Sequence, residues 1–185
     1  MNQDLQSLLD RQAISDVIYR YCRGLDRMDK SLSLSCWHPG GTDDHAPLYS
    51  GTAAGFIEWL WPVHAAMEAT RHFVSNITIE LEGDRAATES YWYVHLRIPH
   101  NDRTYDLVGE GRYLDAFEKV DGTWAIRHRT SVGDMTRVTE LTLDISSIED
   151  PPLIIPNNPE SVPAKSARDQ TDFSYELFAS LREQS

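Results

Sequence analysis

The first part of the chain repeats apolar residues at intervals of three and four positions, which is typical of one buried face of a helix. The members of this series are Leu5, Leu8, Leu9, Ala13, Ile14, Val17, Ile18, Tyr21 and Cys22. The spacing predicts a first helix that runs up to Gly24. It also predicts a short second helix within 25–39, ended by Pro39, and a third within 52–70, kinked or broken at Pro62.

Alternation of apolar and polar residues replaces the helical spacing in the middle of the chain, and this pattern predicts strands. The predicted strands are 75–82, 86–98, 104–120 and 123–132, with a short one around 43–46. Asp121 and Gly122 mark a tight turn between the last two. Gly109 and Gly111 would let their strand bend sharply.

Helices followed by long antiparallel strands indicate the α+β class. We expect a cone-shaped α+β barrel at residues 1–134, with three N-terminal helices packed on a strongly curved, mainly antiparallel sheet. The open end of such a cone is a pocket. Residues 135–185 are proline-rich and polar, which predicts an extended or partly disordered arm. Its apolar residues near the end, which would anchor it on the domain or on a partner subunit, are Phe173, Tyr175, Leu177 and Phe178.

The composition of the chain argues against some classes of function. The chain has 185 residues, enough for one domain, and its net charge of -12 argues against binding nucleic acid or an anionic membrane surface. Without a predicted membrane span or secretory leader, we expect a cytoplasmic protein. Cys22 and Cys36 form no CxxC motif and are expected to be buried free thiols.

An ionisable ring, His72, stands where the chain is about to enter the core. A carboxylate bonded to one ring nitrogen would fix the tautomer and leave the other nitrogen free as a base. Asp26 is the candidate partner, although it would also suit the N-cap of the second helix. Tyr21 lies five residues before Asp26, at the same helix end. Taken alone, a histidine at a strand edge is more often structural.

The other histidines divide into pocket candidates and surface candidates. His45 and His100 each lie next to a turn and would reach a pocket rim. His38 suits a helix C-terminus, whereas His64 and His128 are interpreted as surface or edge residues.

Metal binding competes for the same residues, namely Asp26, His45, His72 and His100. Without an HxH or HExxH spacing this signal is weak, and we expect no metal. Aromatic residues are mostly interpreted as core, although some would suit a flat apolar ligand. They are Trp37, Trp59, Trp61, Tyr91, Trp92, Tyr93, Tyr105 and Tyr113.

Residues 5–133 resemble the nuclear transport factor 2-like superfamily, and within it the SnoaL-like branch. The segment "YCRGLD" is similar to the bile-acid dehydratase segment with a catalytic tyrosine and aspartate, which implies these roles for Tyr21 and Asp26. The segment "TRHFVSN" resembles the scytalone dehydratase segment that holds the catalytic histidine, here His72.

The resemblance also implies substrate contacts. "YVHLRIPHNDRTYD" is close to a strand and turn whose last histidine contacts substrate, here His100, and "CWHPGGTDDH" places His45 where the family has a substrate-binding tyrosine. Gly111 and Tyr113 replace a serine and an asparagine, so the substrate is expected to differ from scytalone. The expected substrate-binding residues are His45, His100, Trp92, Trp59 and Tyr113.

Together these features predict a cofactor-independent lyase, such as a dehydratase, or an isomerase acting on a hydrophobic cyclic or aromatic small molecule. His72 would abstract a proton, held by Asp26, while Tyr21, His45 or His100 would bond an oxyanion or protonate a leaving group. Carbon–carbon cleavage would use similar residues. A homodimer or homotrimer is expected from the resemblance.

Two other classes stay open. A binding or assembly module would have an aromatic pocket in which Asp26 and His72 are not bonded. A similar cone forms the β-subunit of ring-hydroxylating dioxygenases, and such a role would require a stable partner chain.

Overall fold

Three helices and a six-stranded sheet form the main part of the chain. The computed structural model describes residues 3–142 and 166–182. The helices are α1 (Gln3–Asp26), α2 (Lys30–Leu34), α3 (Ala53–Ala65) and α4 (Phe173–Arg182). The strands are β1 (Trp37–His45), β2 (Tyr49–Thr52), β3 (Ala69–Glu82), β4 (Arg85–His100), β5 (Arg103–Val120) and β6 (Thr123–Glu140).

The sheet has the order β2-β1-β6-β5-β4-β3 and is antiparallel except where β1 runs parallel to β6. Bulges in the β5–β6 ladder at Gly111 and near Phe117 bend it, since an extra residue on one strand increases local twist. This architecture confirms the predicted α+β class and the curved, mainly antiparallel sheet. The sheet is open, so the predicted barrel does not close.

The second helix is shorter than predicted, and Pro39 lies inside β1 instead of ending a helix. The side chain of Asp29 caps α2 by accepting a hydrogen bond from the backbone N–H of Leu32, at 3.0 Å. Register shifts between Trp37 and Thr42 in the β1–β6 pairing. Proline is tolerated there because a bulge does not require its missing N–H.

The last strand extends beyond the predicted end at residue 132. It pairs with β5 as far as Tyr105 opposite Glu140, so the predicted domain boundary at 134 falls within β6. Residues 133–140 are all exposed. Their apolar and polar residues do not alternate, so the sequence did not predict this part of the strand.

The chain returns to the domain at α4. The Tyr175 hydroxyl donates to Asp29 at 2.9 Å, and the Arg23 guanidinium lies over the rings of Tyr175 and Phe178, 4.7 and 4.9 Å from their centroids. These contacts place the end of the arm on the end of α1. The proline-rich stretch 143–165 lies outside the described residues.

The core forms between α1, α3 and the inner face of the sheet. Cys22 and Cys36 are both buried there as free thiols, as predicted. Burial raises the pKa of Cys22 to about 12 and also raises the pKa of Cys36, so both stay protonated. None of the described helices is long and apolar enough to cross a membrane.

Gly111 is a point where β5 admits no side chain. A Cβ there would collide with the Val132 carbonyl oxygen and lie 2.5 Å from the Trp92 ring. Gly111→Ala is expected to lower the free energy of unfolding by about 1–3 kcal/mol, the usual cost of overpacking. The matched control is Gly109→Ala, whose Cβ would meet the Val94 side chain at 3.2 Å. Urea unfolding of both variants tests this; equal stabilities would contradict it.

Candidate active site

A cavity of about 220 Å³ opens between the helices and the sheet. Its wall is largely apolar and aromatic, and it carries three histidines. The lining residues are Tyr21, Leu25, His45, Leu48, Phe56, Trp59, Leu60, Val63, His64, Met67, His72, Trp92, Val94, Leu96, Tyr113 and Ser131. A small apolar cavity with a few convergent polar groups is the usual form of a ligand site.

His72 and Asp26 form a hydrogen-bonded pair at this cavity. The ring Nδ1 of His72 lies 2.7 Å from Oδ1 of Asp26, and the backbone N–H of His72 donates to Oδ2 at 2.9 Å. The side chains are 8% and 15% exposed, respectively. Both carboxylate oxygens therefore hold the same residue, which fixes the ring against rotation.

Local structure explains why these two residues meet. Asp26 is the last residue of α1, while His72 lies near the start of β3, opposite Val94 of β4. Since Val94 also lines the cavity, this register turns His72 inward. Asp26 was predicted either to cap the second helix or to bond His72. Asp29 caps α2 and Asp26 bonds His72, so the second prediction is confirmed.

The pair has the geometry of a histidine base. With Nδ1 donating to Asp26, the neutral ring carries its lone pair on Nε2, the nitrogen available to a ligand. The carboxylate would stabilise the charge that forms when Nε2 takes a proton. Catalytic proton transfer needs this arrangement of an oriented ring and a free nitrogen.

A second histidine–carboxylate pair, which the sequence interpretation missed, lies in β1. Nδ1 of His45 is hydrogen-bonded to Oδ1 of Asp43, and the His45 ring stacks on Phe56 with centroids 4.3 Å apart. The Asp43 side chain is fully buried. Two residues apart on a strand share one face, so the "TDDH" spacing was a signal for this pair.

His64 is the third histidine at the cavity, and its interpretation as a surface residue was wrong. It is buried in the last turn of α3, one turn after Leu60, with its ring centroid 5.7 Å from that of His72. Burial, together with the charge of His72, lowers the pKa of His64 to about 3, so the ring is neutral near pH ~7. The four-residue spacing from Leu60 could have indicated a buried position.

The protonation of His64 makes the fold sensitive to acid. Its pKa is about 3 in the fold but ~6.5 in an unfolded chain. Between these values the unfolded state binds the extra proton, so stability falls as pH drops from ~6.5 towards ~3 and is constant above ~6.5. We expect His64→Leu to lose less stability than the native chain between pH ~7 and ~4.5, by urea unfolding. His128→Leu, which removes an exposed ring, is the control; equal losses in the native chain and His64→Leu would contradict the prediction.

Two tyrosines that line the cavity, Tyr21 and Tyr113, pack against a buried arginine. Arg129 is completely buried, makes two 2.7 Å hydrogen bonds to Asp115, and lies over the rings of Tyr113 and Tyr21 at 3.8 and 4.5 Å. Burial raises the pKa of both tyrosines far above the usual value, against the opposing effect of Arg129. Both phenols therefore stay protonated as hydrogen-bond donors.

The remaining predicted residues separate into two groups. Trp59, Trp92, Tyr113 and His45 line the cavity, as a substrate contact requires. His100 does not; it ends β4 as an exposed residue whose ring lies near Tyr105, with centroids 6.5 Å apart.

The two histidine–carboxylate pairs of the cavity remain separate from one another. In the described parts of the chain, no three His, Cys, Asp or Glu side chains are placed to hold one metal ion. The four residues considered as metal ligands are accordingly distributed between the two pairs and the exposed end of β4.

Solved structures share this fold. A provisionally assigned scytalone dehydratase from Novosphingobium aromaticivorans DSM 12444 has 23% identity and a TM-score of 0.64, over 75% of this chain and 91% of that chain. Hexachlorocyclohexane dehydrochlorinase from Novosphingobium barchaimii LL02 has 17% identity and a TM-score of 0.66, over 76% and 95%. A Mycobacterium tuberculosis protein of unknown function has 22% identity and a TM-score of 0.63, over 72% and 77%.

At these identities the likeness concerns the fold alone. Comparison with curated proteins gives no match. The SnoaL-like domain family, in contrast, matches residues 6–130, which is more than half of the sequence. That match includes most of α1, the cavity-lining parts of β3 to β5 and both histidine–carboxylate pairs. The chain therefore belongs to the SnoaL-like domain family.

Proposed function

We propose that the chain is a cofactor-independent lyase or isomerase that removes a carbon-bound proton from a hydrophobic cyclic or aromatic small molecule. The observation that carries this proposal is the His72–Asp26 pair, which offers an oriented base to an apolar cavity. An apolar wall restricts water, and this strengthens electrostatic interactions with the reacting groups.

Four polar side chains at the cavity have a role in the proposed reaction. Nε2 of His72 accepts the proton from a carbon next to an activating group such as a carbonyl. Asp26 holds the ring and stabilises its positive charge. Tyr21 and Tyr113, which are protonated and line the cavity, would donate hydrogen bonds to the oxyanion that develops on the substrate.

The cavity limits the size and polarity of the substrate. Its volume, about 220 Å³, lies below the ~300–1,000 Å³ typical of drug-sized ligands, so a molecule with one or two rings fits best. Trp59, Trp92 and Phe56 provide aromatic faces on which a flat ring can pack.

The named structural neighbours support elimination as the reaction type. One is a provisionally assigned dehydratase and another a dehydrochlorinase, and both names describe loss of a small group from a neighbouring carbon. This support is an analogy of fold, because one fold hosts many functions.

A binding or assembly role would not need the bonded pair. The alternative of a binding or assembly module predicts that Asp26 and His72 are not bonded, whereas both carboxylate oxygens accept hydrogen bonds from His72. Self-association is compatible with catalysis. We expect a homodimer or homotrimer, since Phe73, Tyr91 and Tyr93 leave apolar surface exposed on the outer face of the sheet.

Deuterium exchange tests the base function before a substrate is known. The chain is incubated in D₂O with a panel of cyclic and aryl ketones, and deuterium at the carbon next to the carbonyl is measured by mass spectrometry. We expect incorporation above the buffer rate for the native chain and the His128→Gln control, whose ring lies outside the cavity. If the native chain accelerates exchange for no ketone in the panel, the proposal fails.

A further inference from the structure

The turn between α3 and β3, residues 66–68, leads the chain from the cavity wall to the proposed base. His64 and Met67 line the cavity before and within this turn, and His72 follows near the start of β3. The other member of the pair, Asp26, is the last residue of α1. The geometry of the pair therefore depends on how the α3–β3 turn is held against the end of α1.

Arg168, from the segment that precedes α4, binds both ends of this turn. Its Nη1 donates to the Met67 carbonyl oxygen, and its Nη2 donates to the His64 carbonyl oxygen at 2.9 Å and to Oγ1 of Thr70 at 3.4 Å. The His64 carbonyl belongs to the last turn of α3, where the helix dipole favours a cation. Thr70 is completely buried, two residues before His72. One guanidinium group therefore ties the end of α3 to the start of β3.

The same segment is fastened to the end of α1. The buried side chain of Asp172 accepts a hydrogen bond from the backbone N–H of Ala167 at 2.9 Å, and its Oδ1 lies 3.4 Å from Nε of Arg27. Ala167 and Arg27 are the direct sequence neighbours of Arg168 and Asp26. The segment therefore bridges the helix that carries the carboxylate of the pair and the turn that leads to its histidine.

The charge of Arg168 acts in the same direction as its hydrogen bonds. Burial lowers the pKa of this guanidinium, against the opposing effect of the negative charge of Asp26, and an arginine with such a shift still stays protonated at neutral pH. The side chain is partly buried, so solvent screens its attraction to Asp26 less than it would on the open surface. The attraction draws the arm, and the turn bound to it, towards the end of α1.

We propose that Arg168 is a positioning residue, which holds the α3–β3 turn against α1 and so keeps Nδ1 of His72 on Asp26. This inference rests on the proposed function, in which His72 is the base. Arg168 does not line the cavity, so it acts through the pair and not on a substrate. It also lies beyond residues 6–130, so the SnoaL-like family match does not include it.

The ring proton on Nδ1 of His72 reports the geometry of the pair without a substrate. A proton held on a carboxylate resonates far downfield and exchanges slowly with water, so NMR of histidine-labelled protein measures it, and His72→Gln identifies the signal. In Arg168→Met, which replaces the guanidinium by a long apolar side chain, we expect this signal to broaden or to be lost. For a ketone that the native chain exchanges, we expect deuterium incorporation to slow by about 10²-fold, the cost of displacing a catalytic group by about 1 Å.

Arg11→Met is the matched control on the same strand. Arg11 also donates to a backbone carbonyl of β3, that of Ile79 at 2.6 Å, but this residue lies outside the cavity. We expect native His72 signals and native exchange in this variant. Arg168→Lys is expected to show a smaller loss than Arg168→Met, because an ammonium group keeps the charge but not the planar set of donors. Thermal unfolding shows whether each variant keeps the fold.

Native His72 signals or native exchange kinetics in a folded Arg168→Met variant overturn the positioning role, and so does an equal loss in Arg11→Met. If Arg168→Met is unfolded, a folded Arg168→Lys variant with native His72 signals overturns it. The proposed function fails separately, when the native chain accelerates exchange of no ketone. Loss of the His72 signal in Arg168→Met alone would then still show that Arg168 holds the pair.

Discussion

Replacing His72 by glutamine is expected to lower the rate of ketone deuterium exchange, and of any elimination, by about 10²–10⁴. Glutamine has no nitrogen lone pair that can take a proton, whereas Nε2 of His72 is the free base of the cavity. The fold should persist, because the backbone N–H that bonds Asp26 is kept. Exchange kinetics by mass spectrometry, with circular dichroism as a check on folding, measure the effect.

Asp26→Asn is expected to lower the same rates, although it leaves the His72 side chain in place. The backbone N–H of His72 requires an acceptor, so the amide oxygen takes this place and the amide NH₂ faces Nδ1. That arrangement forces the ring proton onto Nε2 and removes the base, although the side chain keeps its size. We expect a loss of the same order as for His72→Gln. A folded His72→Gln variant that keeps more than about a tenth of the native rate, against the ~10²–10⁴ expected, would contradict the base role.

The largest stability effect is expected at Arg129. This side chain and its partner Asp115 are both 0% exposed and share two hydrogen bonds. Arg129→Met leaves a buried carboxylate without a counter-charge, so we expect the free energy of unfolding to fall by about 3–5 kcal/mol. Urea unfolding followed by circular dichroism measures this change.

A double variant shows how much of the lost unfolding free energy comes from the unpaired charge and how much from packing. Removing both charges with Arg129→Met and Asp115→Leu is expected to recover much of the loss, because apolar residues of similar volume often replace a buried ion pair at little cost. Arg103→Met, at an exposed pair with Glu140, is expected to leave stability close to native. An Arg129→Met variant as stable as the native chain would contradict a structural role for the buried pair.

Much of the fold was predictable because its periodicities are regular. The long strands alternate until they reach a bulge, and the apolar stripe of α1 is buried from Ile14 to Leu25. Leu5, Leu8 and Leu9, which the same spacing placed on the buried face, are exposed. The His72–Asp26 pair was also predicted, chiefly from the family resemblance. Sequence alone left open whether Asp26 caps α2, and only the position of Asp29 shows that the cap is already present.

The alternation of residues along a strand shows which residues share a face, but it does not show which face is buried. In β4, alternation separated Trp92, Val94 and Leu96 from Tyr91 and Tyr93, without showing which face is internal. The structure places the first set on the cavity and leaves both tyrosines exposed. That assignment depends on packing against helices distant in sequence, which local periodicity does not contain.

A bulge explains why the sequence did not predict that Arg129 is buried. Ile126 is buried and faces the core, so alternation predicts that the next inward residue is His128. The ladder instead pairs Phe117 with Ile126 and Ala116 with His128, and the extra residue shifts the inward parity. Arg129 therefore turns inward, where its charge is compensated by Asp115.

The proposed base function requires that Asp26 holds His72 with its proton on Nδ1 and leaves Nε2 free. Nitrogen NMR of histidine-labelled protein measures the tautomer directly, because protonated and unprotonated ring nitrogens resonate far apart. His72→Gln identifies the His72 signals by their loss. We expect the neutral His72 ring to be protonated at Nδ1 and unprotonated at Nε2. A neutral ring with its proton on Nε2 would contradict it, since no base would then face the cavity.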